Sequence, residues 1–257
     1  MLNIGLVLPD VLGTYGDDGN ALVLRQRARM RGLDAEIHPI RLGEPVPETL
    51  DIYTIGGGED TAQILAAEHL IADGGLTRAA TAGRPILAIC AGLQVLGESF
   101  RASGRVIDGV GLIDATTAGM QDRAIGEVSS TPTGAGVTAN LTEPLTGFEN
   151  HLGATILGPS AQPLGTLTRG NGNADQAATA DLADGSSQRT YEGAVQGSVI
   201  ATYMHGPALA RNPQLADLLL AQAMGVSLAD LDPLDIPAVD RLRTERFNAA
   251  EPPRSQR

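Results

Sequence analysis

The stretch Pro85-Ile-Leu-Ala-Ile-Cys90-Ala-Gly-Leu-Gln-Val-Leu-Gly97 runs from aliphatic residues to a cysteine among small neighbours, then into a helical pattern. A buried strand that turns sharply into a helix and carries a nucleophile at the turn has this composition, because the strained backbone there tolerates only small neighbours. Ala88, Ala91 and Gly92 meet that demand. A helix starting behind the thiol would also favour the thiolate through its dipole. A lone cysteine closing a buried strand is equally often an inert core residue, so the elbow alone leaves both readings open.

Working outward, residues 2–8, 35–40, 51–55 and 85–89 read as buried strands. Helical patterns cover 20–30, capped by Asp18 and stopped near Gly32, and also 60–72 and 92–103. Strands alternating with helices imply a parallel sheet with helices on both faces. Beyond it, short strands are expected at 110–115, 125–129, 154–157, 190–195 and 199–203, with a tight turn at Asn171-Gly172 and a long surface loop over 161–187. Residues 213–224 read as a last amphipathic helix, and prolines at 233, 237, 252 and 253 interrupt the pattern after it. The expected division is one domain over 1–210 with a C-terminal helix and proline-containing tail over 211–257.

The 257 residues are 42% hydrophobic and 19% charged, a composition that folds. A formal charge of -12 opposes binding to a phosphate backbone, so no nucleic-acid partner is expected. All 18 basic residues are arginines, which excludes Schiff-base chemistry on lysine. No apolar run is long enough for a membrane span. The single cysteine and the strand-like opening favour a cytoplasmic protein.

Two further segments accompany the elbow. Ile55-Gly-Gly-Gly-Glu-Asp60 follows a strand and could present backbone N–H groups to an oxyanion, while lacking the lysine and hydroxyl residue of a nucleotide P-loop. Val199-Ile-Ala-Thr-Tyr-Met-His205-Gly-Pro207 puts a histidine at the end of a buried strand, where open α/β sheets place catalytic groups. His38 and His69 lie within regular elements and read as structural. Gly147-Phe-Glu149-Asn150-His151 could line the same cleft, with His151 the second candidate base. Arg123 could hold a free carboxylate by a bidentate pair, or could simply be a surface arginine.

In their order and separation, the Gly-rich turn, the cysteine elbow and Tyr203-Met-His-Gly206 resemble class I glutamine amidotransferases of the cobyric acid synthase-like branch. That resemblance implies a flavodoxin-like fold. Within the branch, Thr14-Tyr-Gly-Asp-Asp-Gly-Asn20, Gly57-Gly-Glu-Asp60, Gly109-Val-Gly-Leu112 and Gly147 to His151 resemble the glutaminase subunits of lipid II isoglutaminyl synthases. The resemblance implies that Cys90 is the nucleophile, that His205 is the base and acid, and that the Gly58 and Ala91 amides bind the oxyanion. It makes Arg123 a glutamine contact, and Gln94 is counted with the substrate-binding residues.

It further implies no metal or organic cofactor in this chain and a heterodimer with a Mur ligase-like synthetase that uses ATP and Mg²⁺. Amidation of a cobalamin-type precursor, or a non-catalytic regulatory role, are the competing readings. Two positions depart from the family pattern. Ala88 stands where the elbow usually has glycine, and Pro207 where a glutamate would orient the histidine. The orienting acid is therefore either dispensed with or supplied by a partner.

Overall fold

The computed structural model describes residues 1–248. In chain order the elements are β1 (Leu2–Val7), α1 (Gly19–Met30), β2 (Ala35–Ile40), β3 (Ile52–Ile55), α2 (Asp60–Asp73), α3 (Gly75–Thr81) and β4 (Ile86–Ile89). There follow α4 (Ala91–Leu96), β5 (Ser99–Ala102), β6 (Arg105–Asp108), β7 (Ala115–Pro132), β8 (Leu145–Leu157), β9 (Gly165–Arg169), α5 (Gln176–Thr179) and α6 (Gly185–Gln188). The remaining elements among the described residues are β10 (Tyr191–Glu192), β11 (Ala194–Gln196), β12 (Val199–Thr202), α7 (Ala208–Arg211), α8 (Pro213–Met224) and α9 (Pro237–Phe247).

One six-stranded sheet has the order β11-β12-β4-β3-β1-β2 and is parallel except for β11. Its central strands β3, β4 and β12 are buried at every residue, as aliphatic runs covered on both faces must be. α1, α7 and α8 pack together, as do α2 and α4. Arg27 and Arg31 both grip Asp217, at 2.6 and 2.9 Å, tying α1 to α8. The α/β class and its mainly parallel sheet match the expectation from sequence.

The second sheet, β10-β9-β7-β5-β6 with β8 paired to β7, departs from it. The short strands expected at 125–129 and 154–157 are parts of the long antiparallel pair β7 and β8. Their Gly, Ala, Ser and Thr content carries little strand propensity, so cross-strand pairing, not local preference, extends them. Residues 110–114 form a loop instead of a strand. The helix expected to reach residue 103 stops at Leu96, because Glu98 N–H donates to Ala115 O at 2.8 Å and draws the chain into β5.

The supposed loop at 161–187 contains β9, α5 and α6, and Gly172 does adopt a left-handed turn conformation (φ 63°). The strand expected at 190–195 divides at Gly193, so that β10 joins one sheet and β11 the other. Pro237 occupies the first turn of α9 instead of ending a helix, and Arg243 docks α9 on Glu143 at 2.6 Å. Prolines 252 and 253 lie outside the described residues. Most of the core is one continuous cluster spanning both sheets, from Ile4, Ile52 and Leu87 to Phe100, Val128 and Leu145, and including Leu219 of α8.

Candidate active site

Strands β12, β4, β3 and β1 are adjacent and parallel, so their carboxyl ends open on one edge. Each releases its chain into a segment carrying one part of the site, at the position where open α/β sheets bind ligands. β4 delivers Cys90, whose backbone (φ 52°, ψ -104°) lies in the strained left-handed half of conformational space. Cys90 N–H donates to Thr202 O at 2.8 Å, which ties the elbow to β12. The strain turns the side chain out of the sheet at the N-terminus of α4. Ala88, at the position of the usual glycine, is fully buried between β3 and β12, and its methyl fits there.

β12 delivers His205, only 4% exposed. Its backbone pairs with Phe148 of β8 (N–H to O, 2.9 Å), so both sheets hold it. Nδ1 lies 3.1 Å from each oxygen of Asp17, and buried Nε2 has no hydrogen-bond partner among the described residues. Burial works against the charged ring, but the Asp17 hydrogen bond, the neighbouring Cys90 and the charges on both outweigh it, pushing the pKa up to about 10. A thiol beside an imidazole that a buried carboxylate orients is the arrangement that activates a nucleophile.

Asp17 is the residue the sequence reading missed, and it answers the question left by Pro207: the orienting acid comes from the β1 loop of the same chain. Asp17 is 2% exposed and also accepts the Gly57 N–H at 3.0 Å, linking it to the Gly-rich turn after β3. A side chain at Gly57 would crowd His205 Cε1 and the Asp17 carboxylate. Asn20 receives Leu209 N–H at 2.9 Å and donates to Asp17 O at 3.0 Å, fixing the loop to α7. Pro207 packs on this same loop, and a Cβ at Gly19 would overlap its ring. Asp18, expected to cap α1, makes no side-chain cap bond.

Gly58 and Ala91 sit where their amides can act. The Gly58 N–H has no acceptor among the described residues, while its carbonyl is pinned by Gln63 Nε2 at 3.2 Å. Ala91 is the first residue of α4, so its N–H has no intrahelical partner. A pocket of about 240 Å³ brings together Cys90, Gly58, Gln94, Arg123, Asn150 and His151, with Tyr15 and Glu59 at one wall. Buried Gln94 donates to Tyr203 Oη at 3.2 Å.

Arg123 reaches the pocket through a bulge. Pairing of β7 with β8 runs to Gly119↔Gly153 and resumes at Ala124↔His151, leaving Met120 to Arg123 opposite Leu152 alone. Asp175 accepts Gln121 N–H at 2.8 Å, and a small apolar cluster of Met120, Ala124, Ala154 and Ala174 lies beneath. Arg123 Nε donates to Asn150 Oδ1 at 2.8 Å, which aims the guanidinium. His151 is buried, stacked on Tyr203 at 3.7 Å between ring centroids, with Nδ1 bonded to Gly153 O at 2.9 Å. It lines the pocket as a shaping residue. Glu149 does not reach the pocket wall, because its carboxylate is held by the N–H groups of Asn171 and Gly172 at 2.8 and 3.0 Å.

Among the described residues, no helix is long and apolar enough to cross a membrane. The chain is 32% identical over 87% of its length to the lipid II isoglutaminyl synthase (glutamine-hydrolyzing) subunit GatD of Streptococcus pneumoniae, covering 80% of that protein. It is likewise 32% identical to the GatD subunit of Staphylococcus aureus, over 86% of this chain and 84% of that one. A cobyric acid synthase from Sphingopyxis alaskensis is 29% identical over 70% of the chain, which spans 33% of that longer protein. A crystal structure of a glutamine amidotransferase, 18% identical, superimposes with a TM-score of 0.54 over 86% of this chain and 98% of that one, a likeness of fold. The model of the CobB/CobQ-like glutamine amidotransferase domain matches residues 3–213, and the chain belongs to that family.

Proposed function

We propose that this chain is the cytoplasmic glutaminase subunit of a lipid II isoglutaminyl synthase. The observation that carries the chemistry is the imidazole of His205, locked through Nδ1 on Asp17 with Nε2 left unpaired on the Cys90 side. Cys90 Sγ attacks the side-chain carbonyl carbon of glutamine, and the oxyanion is received by the amides of Gly58 and Ala91. As the C–N bond breaks, His205 gives its proton to the departing ammonia and a glutamyl thioester remains. Water then attacks the thioester, His205 takes its proton, and glutamate leaves as the thiolate is restored. Arg123 grips the α-carboxylate, with Gln94 and His151 shaping the pocket around the aliphatic chain.

This sequence of steps requires no metal or organic cofactor in the chain; ATP and Mg²⁺ belong to the acceptor half of the reaction. That half is assigned to a Mur ligase-like synthetase in a heterodimer, which uses the ammonia to amidate the D-glutamate of lipid II. The two GatD proteins, which this chain covers by four fifths or more, support this acceptor. The cobyric acid synthases, of which it spans a third, support amidation of a cobalamin-type precursor less well.

The test uses the reconstituted pair with Cys90→Ala. Glutamine-driven amidation of lipid II should fall by at least about 10⁴-fold, the scale of losing a covalent nucleophile. Amidation driven by high ammonium should persist. Glutamine-driven turnover above about a hundredth of wild type removes Cys90 from this role, and loss of the ammonium reaction in an intact complex refutes the division of labour.

A further inference from the structure

Free glutamine is a zwitterion, and a pocket that selects it needs an acceptor for the α-ammonium as well as a cation for the carboxylate. The charged residues lining the pocket are the cations Arg123 and Arg101 and the acids Glu59 and Asp60. Asp60 Oδ2 accepts the N–H of Ser103, between β5 and β6, at 2.5 Å. Glu59 is different. Tyr15 Oη donates to its Oε1 at 2.7 Å, and Oε2 has no partner among the described residues.

Three observations place Glu59 at the same opening as the reacting groups. Glu59 follows Gly58 directly, so an amide available to the reacting carbonyl and an unspent carboxylate oxygen lie on successive residues at the start of α2. Tyr15 lies against His205, with 5.1 Å between ring centroids, and belongs to the loop that carries Asp17. Tyr15, Glu59, Arg123 and Cys90 line the same pocket, which puts cation, carboxylate and thiol around one opening. The hydrogen bond of Tyr15 to Glu59, then burial and the Glu59 charge, push its pKa up, so it stays a hydrogen-bond donor.

We propose that Glu59 recognises the α-ammonium of glutamine, with Tyr15 as the positioning residue that presents its carboxylate. The pair makes the site selective for a free α-amino acid over amides without the ammonium. This rests on the glutaminase reading of the same site.

The experiment compares kcat/KM for L-glutamine and for 4-carbamoylbutanoate, the same amide lacking the α-ammonium. It uses the full chain together with the subunit that co-purifies with it. Wild type should favour glutamine by about 10- to 100-fold, the scale of one charge-assisted hydrogen bond in a partly enclosed site. Glu59→Gln keeps the shape and the Tyr15 contact. It should erase most of that preference by raising KM for glutamine, while kcat/KM for the des-amino amide stays within about twofold. Tyr15→Phe should reduce the preference in the same direction by a smaller factor. Equal losses for both amides, or an unchanged preference in Glu59→Gln, overturn the assignment while leaving the glutaminase reading intact. A wild-type preparation that hydrolyses neither amide overturns that reading, and this inference with it.

Discussion

The two sheets contribute to the site in opposite ways. The parallel sheet supplies Cys90, His205, Asp17 and the Gly-rich turn from strand ends, and the three side chains are no more than 5% exposed. The antiparallel pair β7 and β8 supplies Arg123 from the interruption of its ladder and Asn150 from the paired stretch just beyond it, and Arg123 is exposed. Reacting groups gain from a dry, fixed setting, where a carboxylate can hold an imidazole charged and little rearranges during the reaction. A group that captures a substrate from water must meet water first. In the proposed mechanism the fold thus separates chemistry from recognition, and each side answers to a different measurement.

The sharpest break in this comparison is His205→Asn. It should lower kcat by about 10⁴-fold or more, because the thiol loses its base and the ammonia its proton donor. Stopped-assay ammonia release would measure it. If His151→Asn proves as damaging, the division between buried chemistry and pocket-shaping residues fails.

Asp17→Asn should come next, lowering kcat by about 10²- to 10⁴-fold through loss of the carboxylate that orients and charges the imidazole. It also carries a signature in pH. His205 titrates near 10 in the folded chain against an ordinary 6.5. Stabilisation from the pair is therefore fully present below about pH 6.5 and lost as pH rises through about 10. Removing the hydrogen bond that raises the value should move the alkaline limb of the kcat/KM profile to lower pH. An unmoved limb would mean that Asp17 is only structural.

Arg123→Ala should have the smallest and most selective effect. A KM for glutamine raised about 10- to 100-fold with kcat within a few-fold of wild type is expected for a grip on the unreacting end of the substrate. A fall in kcat equal to that in kcat/KM would place Arg123 with the chemistry instead.

The elbow, the Gly-rich turn and the histidine were legible in the sequence because each sits at the end of a short, fully buried aliphatic strand, whose pattern is local and survives any packing. The long strands β7 and β8 were not, since their small and polar residues carry no clear period and take their conformation from each other. The bulge that delivers Arg123 is a property of register, which a single strand does not encode.

What the sequence by itself determined, then, is which groups stand at the carboxyl ends of the central strands: Gly58, Cys90 and His205. Only the tertiary structure decided how they are completed. Asp17 stands 188 residues from His205, and its neighbour Asp18 is the aspartate that reads as a helix cap. Its pairing with the imidazole exists because β1, β3, β4 and β12 lie side by side and Asn20 ties the β1 loop to α7. A proline after the histidine removed the expected acid from the local motif, and the fold supplied another from across the sheet, because a charged imidazole needs a buried partner in space, whatever its distance along the chain.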